Sequence, residues 1–390
     1  MKIITLGVFL LANFLASAQK PEKVYSIVRE QRDSIWYVEQ EALWEKEVKR
    51  NKNNTEAWSN YYEAVRAQKN LLPWESEKRK EYTNKLDVIA DALYKANPKT
   101  FEGNFYMYRH YGGLGSADNE KYFKFLEKAH EIDPLDPRTY EDFFIFYEIN
   151  RDTKKFSEFC QKFYKSNYMA PYFYNWSHNL LSGLEENAIL FVAGDNDTYS
   201  CWMLQEALGY RKDVQVINTS LITIDDYRIN LFKENGLSDL GFRLDTSKNM
   251  DDYNDRYFEL FDAVFMNEKD YPVYVSSTAI RQFEKEYEDS LYLTGLAYKY
   301  SAESFDNTSI IKRNFEKRYK LDYLNTSFGF HIQNSKKHHL DATYLPAFVK
   351  LYKHYKTSED FENSKVLKGL IDELAENSDQ VEEVKEMLEE

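Results

Sequence analysis

The chain has 390 residues, with 51 basic against 65 acidic side chains and a formal charge of −14. Such a surface repels phosphate backbones and anionic lipid, which excludes nucleic-acid binding and attachment to a charged membrane surface from the expected roles. Two cysteines exclude a disulfide scaffold, and 13 glycines, about half the usual ~7% share, favour long helices over a sandwich or barrel.

Met1 and Lys2 precede a run from Ile3 to Ala12 in which only Thr5 is polar, and Ala16-Ser17-Ala18 follows. One positive charge, an apolar segment too short to span a bilayer and small residues at its end form the pattern of a secretory signal peptide over residues 1–18. Cleavage is expected before Gln19, and with no cysteine nearby the lipid-anchored kind of export signal is not expected. No later stretch approaches the ~20 apolar residues of a membrane helix. The mature chain is therefore expected in the periplasm or outside the cell, with no membrane insertion after cleavage.

Residues 19–170 read as helices, with apolar and aromatic positions three and four apart. The load of 32 tyrosines and 26 phenylalanines suits helix interfaces. "YKANPKTFE" at Tyr94 matches "HEIDPLDPRTYE" at His130, and Pro98, Pro134 and Pro171 recur at nearly even spacing. A helical pair closed by proline at this period resembles the tetratricopeptide repeat, although the Trp-Leu-Gly part of that consensus is missing. Such pairs bury their apolar faces only by stacking.

The pattern changes over residues 171–300. "NAILFVA" from Asn187, "DVQVIN" from Asp213 and "YPVYVSS" from Tyr271 are short, β-branched and flanked by polar turns, and they read as buried parallel strands. A helix of about eleven residues, opened by Asp197 or Thr198 and closed by Gly209, is expected between the first two. A second runs from Asp225 to about Asn235. Strand, helix, strand, helix and strand predict a small Rossmann-like, three-layer parallel-sheet domain. From Tyr292 the text is helical again, and residues 301–390 form a C-terminal helical segment whose Glu- and Lys-rich end is a solvated face. Cys160 and Cys201 either pair in an oxidising compartment or are two separately buried thiols.

Gly194-Asp195-Asn196-Asp197-Thr198, then Trp202, Gln205, Arg211, Asp213-Val214, Asn218 and Ser220-Leu221, form a specific series. Over Asn175 to Tyr300 it resembles the exported soluble region of a Bacteroidota protein O-mannosyltransferase-like membrane family. The chain departs from that family in Ser200-Cys201, where an aromatic-Pro-Leu-Trp run is usual, and in Asp226-Tyr227, where a Trp-Tyr pair is. It also has no counterpart of the family's multi-spanning region. The resemblance implies the fold, export and a bacterial source, and does not carry over glycosyl transfer.

Ligands of open parallel sheets sit beyond the carboxyl ends of the strands. The candidate ligand-binding residues are therefore Asp195, Asn196, Asp197 and Thr198 after the first strand, Asn218 and Ser220 after the second, and Ser276 and Ser277 after the third. Trp202 and Gln205, three apart on the first helix, add a stacking surface and an amide. Paired carboxylates with an asparagine accept sugar hydroxyls, a hard cation or an amine, whereas one glycine and two negative charges make a poor phosphate cradle. A purely structural account stands beside this: Asp197 caps the helix, Asp195 bonds the turn and Asn218 ties strand ends. His338-His339 with Asp341 has no third spaced ligand and reads as a solvated linker, so no metal and no cofactor are expected. "DSI" at Asp33 and "DSL" at Asp289 resemble short bacterial O-glycosylation sites. The expected function is a scaffold or accessory protein of the cell envelope, with a protein partner on the helical repeats and a ligand or glycan in the crevice. The alternative is a carbohydrate-active enzyme or lectin acting through Gly194 to Thr198.

Overall fold

The computed structural model describes residues 20–113, 119–237, 240–244, 250–267, 270–326 and 331–389, so the expected signal segment lies outside the described residues. The chain divides into two compact units, Met1–Pro134 and Leu135–Glu390. The expected boundary after residue 170 falls inside the second.

The first unit holds α1 (Ser34–Arg50), α2 (Thr55–Asn70), α3 (Glu77–Ala96), α4 (Phe101–Tyr111) and α5 (Asn119–Ile132), each packed on the next. Side chains open the first four. Asp33, Asn54, Ser76 and Thr100 accept from the backbone N–H groups of Trp36, Ala57, Arg79 and Gly103, which satisfies donors that the first turn leaves unpaired. Asp33 of the "DSI" triplet thus serves as a helix cap. Pro98 lies in the α3–α4 turn, which closes so tightly that a Cβ on Gly103 would stand 2.1 Å from the Asn97 carbonyl oxygen. The core between the helices is largely aromatic, including Trp44, Tyr61, Tyr62, Phe101 and Phe105.

The second unit begins after Pro134 with the pair α6 (Tyr140–Ile149) and α7 (Thr153–Lys165), and Pro171 then starts α8 (Pro171–Gly183). There follow β1 (Ile189–Val192), α9 (Asp195–Leu208), β2 (Gln215–Asn218), α10 (Asp225–Glu234), α11 (Met250–Phe265) and β3 (Val273–Ser276). The sheet order is β2-β1-β3-β5-β4, with β4 at Leu291–Leu293 and β5 at Ala297–Tyr300. The three expected strands pair in parallel, Val192 opposite Asn218 and Phe191 opposite Val275. β5 runs antiparallel to both β3 and β4. The sheet is therefore mixed rather than all-parallel, and Tyr292 lies in a strand, not a helix. "LYL" and "AYKY", separated by a tight turn through Gly295 at φ +139, are a hairpin too short to show alternation.

Phe191 packs on Phe261 of α11 at 5.0 Å between ring centres, and on Phe265 and Phe283. By strand alternation Leu190 and Val192 face the other way. α9 contacts β2 and lies against α7 and α8. The C-terminal part comprises a short α12 (Glu284–Tyr287), α13 (Asn307–Arg313), α14 (Lys337–Asp341), α15 (Leu345–Thr357), α16 (Phe361–Asn377) and α17 (Val381–Glu389). It is tied to α8 by Trp176 Nε1 donating to Thr343 Oγ1 at 3.0 Å and by Asn179 Nδ2 donating to Tyr344 Oη at 2.8 Å. Cys160 and Cys201 are free and separately buried, and burial raises both thiols above their ordinary range. Of the two expected arrangements, the structure has the separately buried thiols.

Phe191, fully buried between strand and helix, is the pivot of the apolar face under α11. Phe191→Ala is expected to cost about 3–5 kcal/mol, read as a lowered midpoint in urea unfolding of the full chain; a loss below about 1 kcal/mol would show that this face is not packed as described.

Candidate functional site

The register of the three parallel strands sets their ends level. Val192 stands beside Asn218 on one side, and Phe191 beside Val275 on the other, so Ser276 comes next to Val192. The chain leaves β1 through α9 to β2 on one side and then passes from β2 through α10 and α11 to β3 on the other, so the direction of strand addition reverses at β1. In open parallel sheets this reversal is where a ligand crevice is expected.

Gly194 makes the turn from β1 into α9. Its φ of +82 is a backbone state that L side chains rarely adopt, and it stands as the N-cap of a helix that begins at Asp195. The helix therefore starts two or three residues earlier than its acidic residues suggest. Asp197 and Thr198 lie in its first turn and do not cap it; no side chain does. A glycine cap leaves no sequence signal that distinguishes it from loop.

Thr198 Oγ1 donates to the Gly194 carbonyl at 2.7 Å and accepts from Asn218 Nδ2 at 2.8 Å. Asn218 Oδ1 in turn accepts from the Ser220 and Leu221 backbone N–H groups at 2.8 and 3.1 Å. Asn218 thus fastens the end of β2 to the start of α9. The structural account expected it to tie strand ends; its amide instead joins a strand end to a helix start.

Asp197 behaves otherwise. It is only 8% exposed, and burial, with a smaller contribution from the Asp195 charge, pushes its carboxyl up to about 7 against the hydrogen bond from Thr278, which lowers it. A capping aspartate shifts the opposite way, because backbone N–H groups favour the carboxylate. Ser276 and Thr278, from the end of β3, share a hydrogen bond of 2.5 Å between their hydroxyls. A hydroxyl has one proton to give, so when Thr278 donates to the Asp197 carboxylate it accepts from Ser276. Asp195 is exposed at the mouth and bonds the Tyr199 hydroxyl. The carboxyls of the first turn of α9 and the hydroxyls at the end of β3 meet here.

Not every predicted residue joins them. Trp202 is 3% exposed and packs edge-on against Phe144 and Phe156, so it offers no stacking face to the crevice. Gln205 spends its amide N–H groups on the Arg211 and Val214 carbonyls at 2.9 and 2.7 Å. Both residues line a separate cavity of 450 Å³ with Glu148, Arg151 and Lys212. Asn196 is half-buried and its carbonyl accepts from Ser200 at 2.6 Å. Ser220 is exposed beyond β2. Ser277 gives its backbone N–H to Leu296 in the turn before β5, and its buried Oγ has no partner among the described residues.

The sequence did not reveal the part played by residues near the C-terminal end. His338, Lys337 and Tyr323 line a cavity of 500 Å³ with Tyr172 and Asn175 of α8. "NSKKHHLDATY" is consequently not a solvated linker: it includes α14, and Asp341 is 2% exposed and holds Lys337 Nζ at 2.6 Å. No spacing rule links residues some 150 positions apart. Among the described residues no three His, Cys, Asp or Glu side chains are grouped as a metal ion would require.

A family model, TMEM260-associated domain 2, matches residues 173–255. The match spans most of α8, then β1, the acidic loop, α9, β2 and α10, and that domain is related to the TMEM260 protein O-mannosyltransferase-like family. No curated protein matches the chain.

Asp197 makes stability depend on pH in a stated direction. Its folded pKa lies above the ordinary 3.8, so the native state keeps a proton that the unfolded chain has lost. That contribution is complete below about pH 4 and is lost as pH rises through about 7, at up to about 1.4 kcal/mol per unit. Asp197→Asn is expected to flatten the melting temperature across this window and to melt above the parent at pH 8. A variant that melts below the parent at pH 8 would assign the carboxylate a structural bond instead.

Proposed function

We propose that this chain is an exported accessory protein of the bacterial cell envelope which holds a hydroxyl-rich ligand, a glycan, in the crevice beyond β1 and β3 and binds a protein partner through its helical hairpins. The observation that carries the ligand reading is Asp197: a buried carboxyl, with a pKa raised to about 7, bonded among the described residues to the hydroxyl of Thr278 beyond β3. Burial opposes the charge of such a group, and carboxyls perturbed in this way are commoner at functional sites than elsewhere. With Asp195 at the mouth and Ser276 behind Thr278, the group can give or take hydrogen bonds from sugar hydroxyls.

On this reading the β2-β1-β3 part is a Rossmann-like unit with its ligand at the point where the crossovers part. The proline-closed helical pairs are tetratricopeptide-like, and repeats of that kind present their stacked faces to partner proteins. The similarity over residues 173–255 to a domain associated with an O-mannosyltransferase-like family supports a place near glycan chemistry. Among the described residues no helix is long and apolar enough to cross a membrane.

A second reading, a carbohydrate-active enzyme, draws on the same carboxyl, because a pKa near 7 suits a general acid or base at neutral pH. The double variant Asp195→Asn with Asp197→Asn separates these accounts. Under the proposal it stays folded and loses at least tenfold in affinity on a glycan array, while the parent binds and leaves the glycan intact. Cleavage by the parent that disappears in the variant would favour the enzyme. Unchanged binding by the variant, or no binding by either protein, would reject the crevice as a glycan site.

A further inference from the structure

The cavity of 500 Å³ lined by Tyr172, Asn175, Tyr323, Leu324, Asn325 and Lys337 is apart from the crevice and takes no part in the reading above. We propose that it is a second ligand site, for a neutral saccharide of one or two rings.

Its volume falls within the ~300–1,000 Å³ of small-molecule sites. Its inner wall is aromatic and held in place. Tyr172 is 6% exposed and donates its hydroxyl to the Gln333 carbonyl at 2.7 Å. Tyr323 is 4% exposed and shares a hydrogen bond of 3.0 Å with the Tyr344 hydroxyl. Because both hydroxyls are used by the protein, what these residues offer the cavity is ring carbon, a surface suited to the C–H face of a sugar.

The rim is amide. Asn167, Asn175 and Asn325 line the cavity, and none of their side chains is hydrogen-bonded to another described residue. Each carboxamide both donates and accepts, which matches a hydroxyl that does the same. His331 and His338 also line the cavity, His331 accepting the Gln333 backbone N–H on Nδ1 at 3.2 Å, and the remaining charges favour no ion. Lys337 lines the cavity, but its ammonium is bound by the buried Asp341 carboxylate at 2.6 Å and by the Leu324 carbonyl at 2.9 Å. One N–H remains for an occupant, without a net positive charge to attract an anion. Glu373, exposed at the rim, opposes anions further. A cation would find a single carboxylate there. A neutral molecule with one apolar face and a ring of hydroxyls fits what is left.

The test uses the full chain and a panel of glucose, mannose, N-acetylglucosamine, maltose and cellobiose, followed by saturation-transfer NMR and calorimetry. At least one sugar should bind. Asn175→Ala combined with Asn325→Ala should weaken that binding about tenfold or more, the loss of one or two hydrogen bonds, with the melting temperature unchanged since neither amide serves the fold. Asp195→Asn with Asp197→Asn should leave it intact. Three results would overturn the inference: no sugar of the panel binds, binding survives the asparagine variants, or inorganic phosphate displaces the sugar and binds more tightly. Loss of binding in the aspartate variants alone would place the sugar in the crevice, which rejects this site while sparing the other reading.

Discussion

The site depends on β1 lying between β2 and β3, parallel to both and level with both. The backbone hydrogen bonds of this ladder fix the height at which each strand ends: Val192 beside Asn218, and Ser276 in the next position along β3. Shift one strand by a residue and every side chain changes face. Thr278 would then no longer meet Asp197, and Asn218 would no longer reach Thr198. The polar ends are gathered by main-chain geometry, and the side chains specialise within it.

Their specialisation has two directions. Asn218 and Thr198 are fully used inside the protein, and their hydrogen bonds brace the start of α9 against the sheet. Asp197, three residues into the same helix, is braced by a single hydroxyl and carries an unfavourable charge at neutral pH. The helix start is positive and favours anions, yet burial outweighs that favour. A fold that surrounds one buried carboxyl, whose charge burial opposes, with satisfied polar groups has placed an electrostatic cost where a ligand can relieve it.

Much of this arrangement could be read in the sequence, because it rests on local chemistry. "ILFV", "QVIN" and "VYVS" are β-branched and bounded by polar turns, and Gly209 and Gly236 end helices with the positive φ that glycine permits. The hairpin of β4 and β5 was hidden, since strands of three and four residues carry no periodicity and their pairing is decided by β3. Trp202 and Gln205 were misassigned for a different reason. Residues three apart do share a helix face, but the sequence does not say what covers that face, and here Phe144 and Phe156 do. The second cavity was invisible because Tyr172 and Lys337 are brought together only by the packing of α8 with α14.

Ligand binding beyond β1 and β3 turns on the ionisation of one side chain, and carboxyl-carbon NMR of a chain labelled at aspartate reads it directly. Followed from pH 3 to 9, with Asp197→Asn to assign the resonance, Asp197 should titrate near 7. Titration at or below about 4, the range of an ordinary aspartate, would mean that the carboxyl is solvated or bound by backbone N–H groups, and that the crevice is only a well-made turn.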